Sequence, residues 1–254
     1  MMDIKWLSAG ELVRLTSLSK PEPSGPVLTS SGPIMVMPYT QIEEAKRALA
    51  LAAQRAGADI KGLLIGAEDS LGLGFIKVVN LIFKHTQSPW FGYMAQDAFA
   101  GRLWMESALK ALSFSSTSST SSTSRTSNYK YPPEKATPEE ATKVGMGKFL
   151  GFNDGKWHGA LAGFGLASRS WAEKNYGGDF FQPSYKSHYA DTELTLLALQ
   201  EGVYVYEPSS LLVEVDWGKE SSKVNPEDRA LFKERSLSGF DARVSEPRLL
   251  EMFS

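Results

Sequence analysis

Three carboxylates in this chain stand where an apolar run gives way to a turn or opens a helix, and they are its first chemically suggestive feature. The run Trp90, Phe91, Tyr93, Met94 reads as a short buried strand that stops at Gln96-Asp97. In an open α/β sheet ligands gather at the carboxyl ends of strands. A carboxylate there can hold a divalent cation, and the cation can hold a diphosphate. Asp also opens turns, and taken alone Asp97 fits that role slightly better. The second feature is Glu68-Asp69-Ser70, which closes a strand starting at Lys61. The third is Asp191, which opens a helix carrying Leu194, Leu197 and Ala198 on one face. Asp is a preferred N-cap and needs no catalytic role to stand there.

Other residues that could do chemistry have simpler readings. His85 follows Lys84 in the last turn of a helix, where positive charge suits the dipole. Gly72 and Gly74 form only a fragment of a phosphate-binding signature, with no third glycine and no following lysine at the required spacing. Neither a dinucleotide fingerprint nor a P-loop is present. Cysteine is absent, which removes thiolate nucleophiles, cysteine zinc sites and disulfides.

The elements that must position these acids follow from spacing. Ile34 to Met37 reads as a buried strand stopped by Pro38, and Ile42, Ala45, Leu49, Ala52 and Ala56 recur at helical spacing before Gly57. With the Lys61–Ile65 strand this makes a unit of βαβ size, and so a parallel sheet. Phe75, Val78, Val79, Ile82 and Phe83 give a second crossover helix into the Trp90 strand. Leu103, Trp104, Ala108, Leu109 and Leu112 continue as a helix. The run Trp157 to Gly165 is rich in glycine and aromatics, fit to wall a pocket or to pack tightly as a strand. Val203–Glu207 and Leu211–Val215 read as two strands parted by Pro208-Ser209. Asn225 and Pro226 open a last helix, with Lys233 and Arg235 in its final turn, where they could contact phosphate.

Residues 1–31 read as a peripheral extension, with a capping box at Ser8 and Glu11 and a linker behind it. Residues 113–142, serine- and threonine-rich and then proline-rich, read as an exposed loop, either a lid over substrate or a surface insertion. Between and after them lie two globular stretches, residues 32–112 and residues 143–254, the latter with the C-terminal helices.

The 254 residues suffice for a sizeable core, and 42% hydrophobic with 22% charged residues is ordinary for a soluble globular chain. A net charge of −2 creates no field for nucleic acid or anionic lipid. Neither a signal-peptide core nor a membrane-spanning run is found. The expectation is a cytoplasmic protein, or one held peripherally at a membrane by a partner.

The order of these features resembles that of family 2-like GT-A glycosyltransferases over roughly residues 33 to 235. The resemblance rests on the strand into Pro38-Tyr39-Thr40, the Glu68-Asp69-Ser70 terminus, Ala95-Gln96-Asp97 in the place of an acidic metal motif, Ala190-Asp191 at a helix start, and Tyr206-Glu207-Pro208. It implies a GT-A-like (Rossmann-like) α/β fold with a mostly parallel central sheet flanked by helices. It further implies an inverting transfer of sugar from a nucleotide-sugar donor to a glycan, lipid-linked or protein acceptor. By the same resemblance residues 32–112 are the half that binds nucleotide-sugar, residues 143–254 the half that binds acceptor, and Pro38, Tyr39, Glu68 and Asp69 line the nucleotide pocket. Asp97 and Asp216, with Glu214 competing for the latter role, hold Mg²⁺ or Mn²⁺, and Asp191 is the general base. The sequence departs from the pattern at Ala95, Gln96 and Ala190, where carboxylates are usual. Those departures open a second reading, a non-catalytic nucleotide- or sugar-binding domain on a degenerate scaffold. A third, a sugar-phosphate nucleotidyltransferase, would need a glycine-rich, basic loop in place of Pro38-Tyr39-Thr40-Gln41.

Overall fold

Along Ile34–Tyr39 every residue is buried, and alternate side chains enter two different cores. Side chains of a strand point to opposite faces in turn, so a strand apolar on both faces must be covered on both. The computed structural model, which describes residues 2–17, 28–114, 147–215 and 224–253, shows that arrangement. Ile34 and Val36 pack with Val78, Val79 and Ile82 of one helix. Met35 and Met37 pack with Ala45, Leu49 and Ala52 of another.

In chain order the elements are β1 (Asp3–Leu7), α1 (Ala9–Ser17), β2 (Leu28–Thr29), β3 (Ile34–Tyr39), α2 (Ile42–Arg55), β4 (Leu63–Glu68), α3 (Phe75–Lys84), β5 (Thr86–Gln87), β6 (Trp90–Tyr93), β7 (Ala98–Ala100), α4 (Trp104–Phe114), β8 (Phe149–Asn153), β9 (Gly165–Ser168), α5 (Arg169–Ala172), α6 (Ala190–Gln200), β10 (Tyr204–Glu214), α7 (Pro226–Leu237), α8 (Gly239–Ala242) and α9 (Pro247–Glu251). The main sheet has the order β1-β4-β3-β6-β9-β8-β10-β7. Strands β1, β4, β3 and β6 are mutually parallel, β9 is antiparallel to both β6 and β8, and β8 is parallel to β10. Two antiparallel steps restore the direction, so β8 and β10 run the same way as β3, β4 and β6. The fold is thus a mixed α/β layer structure with a mostly parallel sheet between helices. Among the described residues no helix is long and apolar enough to cross a membrane.

Several expectations are corrected. Residues 3–7 are not peripheral: they form the edge strand β1, in register with Leu63–Ala67 of β4. Four of the five are exposed, so backbone pairing rather than an apolar pattern holds them there. Pro38 does not stop β3, because its missing N–H faces the β6 side, where pairing has already ended at Val36–Tyr93. The two C-terminal strands are one, β10, with a register break between Tyr206 and Leu211 around Pro208. The short β7 pairs antiparallel with its last residues. Other readings hold: the Ser8–Glu11 capping box forms, the chain turns at Gly57 and Gly202 with positive φ, and Asn225 caps α7.

Candidate active site

Because β3, β4, β6, β8 and β10 share a direction, their carboxyl ends lie on one rim of the sheet. Helix α6 precedes β10 through the tight Gly202 turn and runs back against it, which brings the start of α6 to that rim. Pro38, Tyr39, Glu68, Asp69, Asp97 and Asp191 therefore come to the same edge from five different elements or loops. Hydrogen bonds knit the loops together. Asp69 N–H donates to the Tyr39 carbonyl (2.8 Å), Val215 N–H to the Asp97 carbonyl (3.0 Å), and Glu214 N–H to the Asp154 carbonyl (3.1 Å).

The acids at the end of β4 are committed to their own surroundings. Glu68 accepts the Ala9 N–H at the start of α1 (3.3 Å). Asp69 accepts the Leu73 N–H on one oxygen (2.6 Å) and the Gly74 N–H on the other (2.9 Å), which curls the loop over the start of α3. Gly72 and Gly74 have φ of +67° and +91°, so glycine is required by this turn and a phosphate cradle need not be invoked. The Tyr39 ring is buried edge-on against Trp6, with centroids 5.5 Å apart, and presents little of its face to a ligand. Burial, with Glu68 beside it, raises the affinity of its hydroxyl for a proton. A cleft of about 780 Å³ opens between the Gly72–Gly74 turn and the loop at Tyr185–Lys186.

Gln96, the residue whose type departs from the acidic pattern, has a structural task. Its carbonyl oxygen accepts the N–H groups of Thr40 (2.9 Å) and Gln41 (3.1 Å), and its amide donates to Glu44 (3.2 Å). It fastens the loop after β3 and the first turn of α2 to the loop that carries Asp97. A carboxylate could accept the same two N–H groups, but it would repel Glu44. Asp97 is half-buried beside this staple. Glu214 is paired with Lys156 at 3.0 Å, and Asp216 lies outside the described residues. Among the described residues no group of three histidine, aspartate or glutamate side chains assembles to form a metal cage. A single carboxylate oxygen donor still suits Mg²⁺, which is commonly held by one or two carboxylates together with substrate phosphates.

Asp191 is the second residue of α6, after Tyr189 as the cap, so it occupies the first turn rather than the cap itself. Its carboxylate accepts the Thr192 N–H (2.8 Å). Burial pushes its pKa up to about 6, and the negative charge of Asp154 acts in the same direction, against the stabilising backbone N–H groups. The backbone beneath is braced: Thr195 donates to the Asp191 carbonyl (2.7 Å), Ala162 N–H donates to the Thr195 hydroxyl (3.2 Å), and the Tyr93 hydroxyl donates to the Ala162 carbonyl (2.5 Å). The Tyr93 hydroxyl is pushed well above its ordinary range by burial, with Asp191 and Asp154 nearby, and stays protonated.

Two residues of this neighbourhood escaped the sequence reading. Asp154 is 2% exposed, with one oxygen holding the N–H groups of Lys156 and Trp157 and the other facing Gly163. In sequence it belongs to Asn153-Asp154-Gly155, which signals a turn and says nothing of burial. Gln96 was read only as a missing acid. The glycine-rich run is packing: a side chain at Gly159 would strike the Tyr206 ring and one at Gly165 the Phe149 ring. Arg235 is not available to phosphate, because it grips Glu193 through two bonds of 2.7 and 2.8 Å.

No family model matches this sequence, and no curated relative matches it. Among solved structures the chain is similar to the mannosyltransferase PcManGT from Pyrobaculum calidifontis in complex with GDP-Man and Mn²⁺. The TM-score is 0.47 and the identity 12%, with 95% of this chain and 74% of that chain covered.

Proposed function

We propose that this protein is an inverting glycosyltransferase that moves a sugar from a nucleotide-sugar to an acceptor hydroxyl. One observation carries the reading: a half-buried carboxylate with raised proton affinity, Asp191, shares a sheet rim with Asp97 and the Tyr39–Asp69 loops. A base near neutral pKa serves proton abstraction best at physiological pH. Asp191 takes the proton of the acceptor hydroxyl, and the oxygen attacks the anomeric carbon on the face opposite the departing nucleoside diphosphate. The C–O bond to the diphosphate breaks as the new one forms, and the configuration inverts. Asp97 is the carboxylate that would hold a divalent cation, which when bound neutralises charge on the leaving diphosphate. Pro38, Tyr39, Glu68 and Asp69 shape the nucleotide end largely through backbone and loop form.

The second reading is a non-catalytic nucleotide- or sugar-binding domain. It is favoured by the Asp69 carboxylate being engaged on both oxygens by its own loop. Calorimetric titration with UDP, GDP, CDP and dTDP, each with Mn²⁺ and with chelator, tests both. Metal-dependent binding of one nucleotide, together with loss of transfer but not of binding in Asp191→Asn, is the result expected of the transferase. Full transfer by Asp191→Asn would remove the base, and unaltered Mn²⁺ dependence in Asp97→Ala would remove the cation contact.

A further inference from the structure

Asp228 lies on the first turn of α7, in a different element from every acid discussed so far, and it is 1% exposed. Its carboxylate accepts three consecutive backbone N–H groups: Lys186 (2.8 Å), Ser187 (2.8 Å) and His188 (2.9 Å). Three successive N–H groups can converge on one carboxylate only if the chain is curled around it. The next residue, Tyr189, has φ of +68°, a left-handed conformation that a side chain adopts only under outside constraint. Its ring is stacked on Phe232 of the same helix, with centroids 4.7 Å apart. Asp191 follows two residues later. On its other side the curled loop meets the donor half, for a Cβ at Gly74 would come within 3.0 Å of the Lys186 carbonyl.

We infer that Asp228 is a positioning residue for the base: by clasping residues 186–188 it imposes the left-handed turn at Tyr189 and fixes where α6, and with it Asp191, begins. The inference rests on the role proposed for Asp191. Charge-assisted bonds from N–H groups are about twice as strong as neutral ones. An asparagine in this place offers a single oxygen and turns an NH₂ donor toward backbone donors, so it cannot hold all three. The charge that acts directly on Asp191 is that of Asp154, and Tyr93 faces it from β6 as a neutral hydroxyl. Asp228 therefore works through geometry.

The test compares the full chain with its Asp228→Asn and Asp228→Glu variants by residue-resolved amide hydrogen exchange. NMR titration of the Asp191 carboxyl, assigned by its loss in Asp191→Asn, accompanies it. The N–H groups of residues 186–188 and 191–192 are expected to exchange at least about tenfold faster in Asp228→Asn, with β3 and β4 unchanged. The Asp191 midpoint is expected to fall from about 6 toward its ordinary 3.8 as its surroundings open. Exchange at 186–192 within about twofold of wild type, equal acceleration throughout the sheet, or an unmoved Asp191 midpoint would each overturn the inference. Should Asp228→Asn fail to fold, Asp228→Glu, which keeps the charge one methylene further out, is read by the same criteria. Failure of the base proposal registers separately, as undiminished transfer by Asp191→Asn alongside intact exchange and titration results.

Discussion

Replacing Asp191 by asparagine should stabilise the protein, and increasingly so as the pH rises. Asp191 binds its proton more tightly in the folded state, at about 6, than the ordinary 3.8 of a solvated aspartate. At about 1.4 kcal/mol per pH unit, that gap is worth about 3 kcal/mol. Folding is favoured by the protonated form, so the contribution is complete below 3.8 and is lost as the pH climbs through about 6. The asparagine is neutral throughout and loses nothing. The stability of Asp191→Asn relative to wild type should therefore grow with pH, and roughly half of the whole effect should fall between pH 5 and pH 8. Urea unfolding followed by tryptophan fluorescence at several pH values measures it. A difference that stays flat or shrinks over that interval would mean that Asp191 is ordinarily solvated, and the physical case for it as a base would go with it. The expected outcome is a trade of stability for reactivity at one side chain.

The Glu193–Arg235 pair should be asymmetric. Arg235→Ala strips the guanidinium from Glu193, 0% exposed, leaving it the neutral Tyr185 hydroxyl at 2.9 Å, and should cost about 3–5 kcal/mol in denaturant unfolding. Glu193→Gln should cost distinctly less, because Arg235 keeps Asp241 at 3.0 Å. Gly151→Ala should lower the melting temperature in calorimetry, since the new methyl meets the Tyr204 hydroxyl on one side and Ala162 on the other. Overpacking of this kind costs about 1–3 kcal/mol.

Helices α2, α3 and α7 could be read directly from the sequence, because helical spacing and end residues act locally and agreed with each other. The rim that gathers the acids followed from the βαβ spacing, which fixes strand direction. What the sequence hid depended on partners distant in the chain. The polar β1 takes its place by backbone pairing with β4, and β10 crosses Pro208 because its pairing is irregular there. Asp69 could be recognised as a loop acid, but whether its oxygens met a ligand or its own N–H groups depended on the Gly72–Gly74 turn. Gln96 looked like a loss until Glu44 stood beside it. Asp154 announced a turn, and its burial came from Gly163 and the end of β10. Asp216 and residues 115–142, nearly all of the serine-, threonine- and proline-rich loop, lie outside the described residues, so the sequence expectations for them stand as expectations.

Strand β9 enters the sheet between β6 and β8, and this has a consequence during synthesis. Once the chain has left the ribosome as far as Phe114, the strands β1, β4, β3 and β6 can already assemble, but the outer edge of β6 has no partner until Gly165–Ser168 arrives. At roughly 5–20 residues per second the edge beside Phe91 and Tyr93 stays bare for seconds. An unpaired apolar edge is a template for other chains. The nascent protein is therefore most exposed to wrong association in the interval between the emergence of Phe114 and that of Ser168, and a fragment ending at Phe114 would self-associate through that edge rather than through its helices.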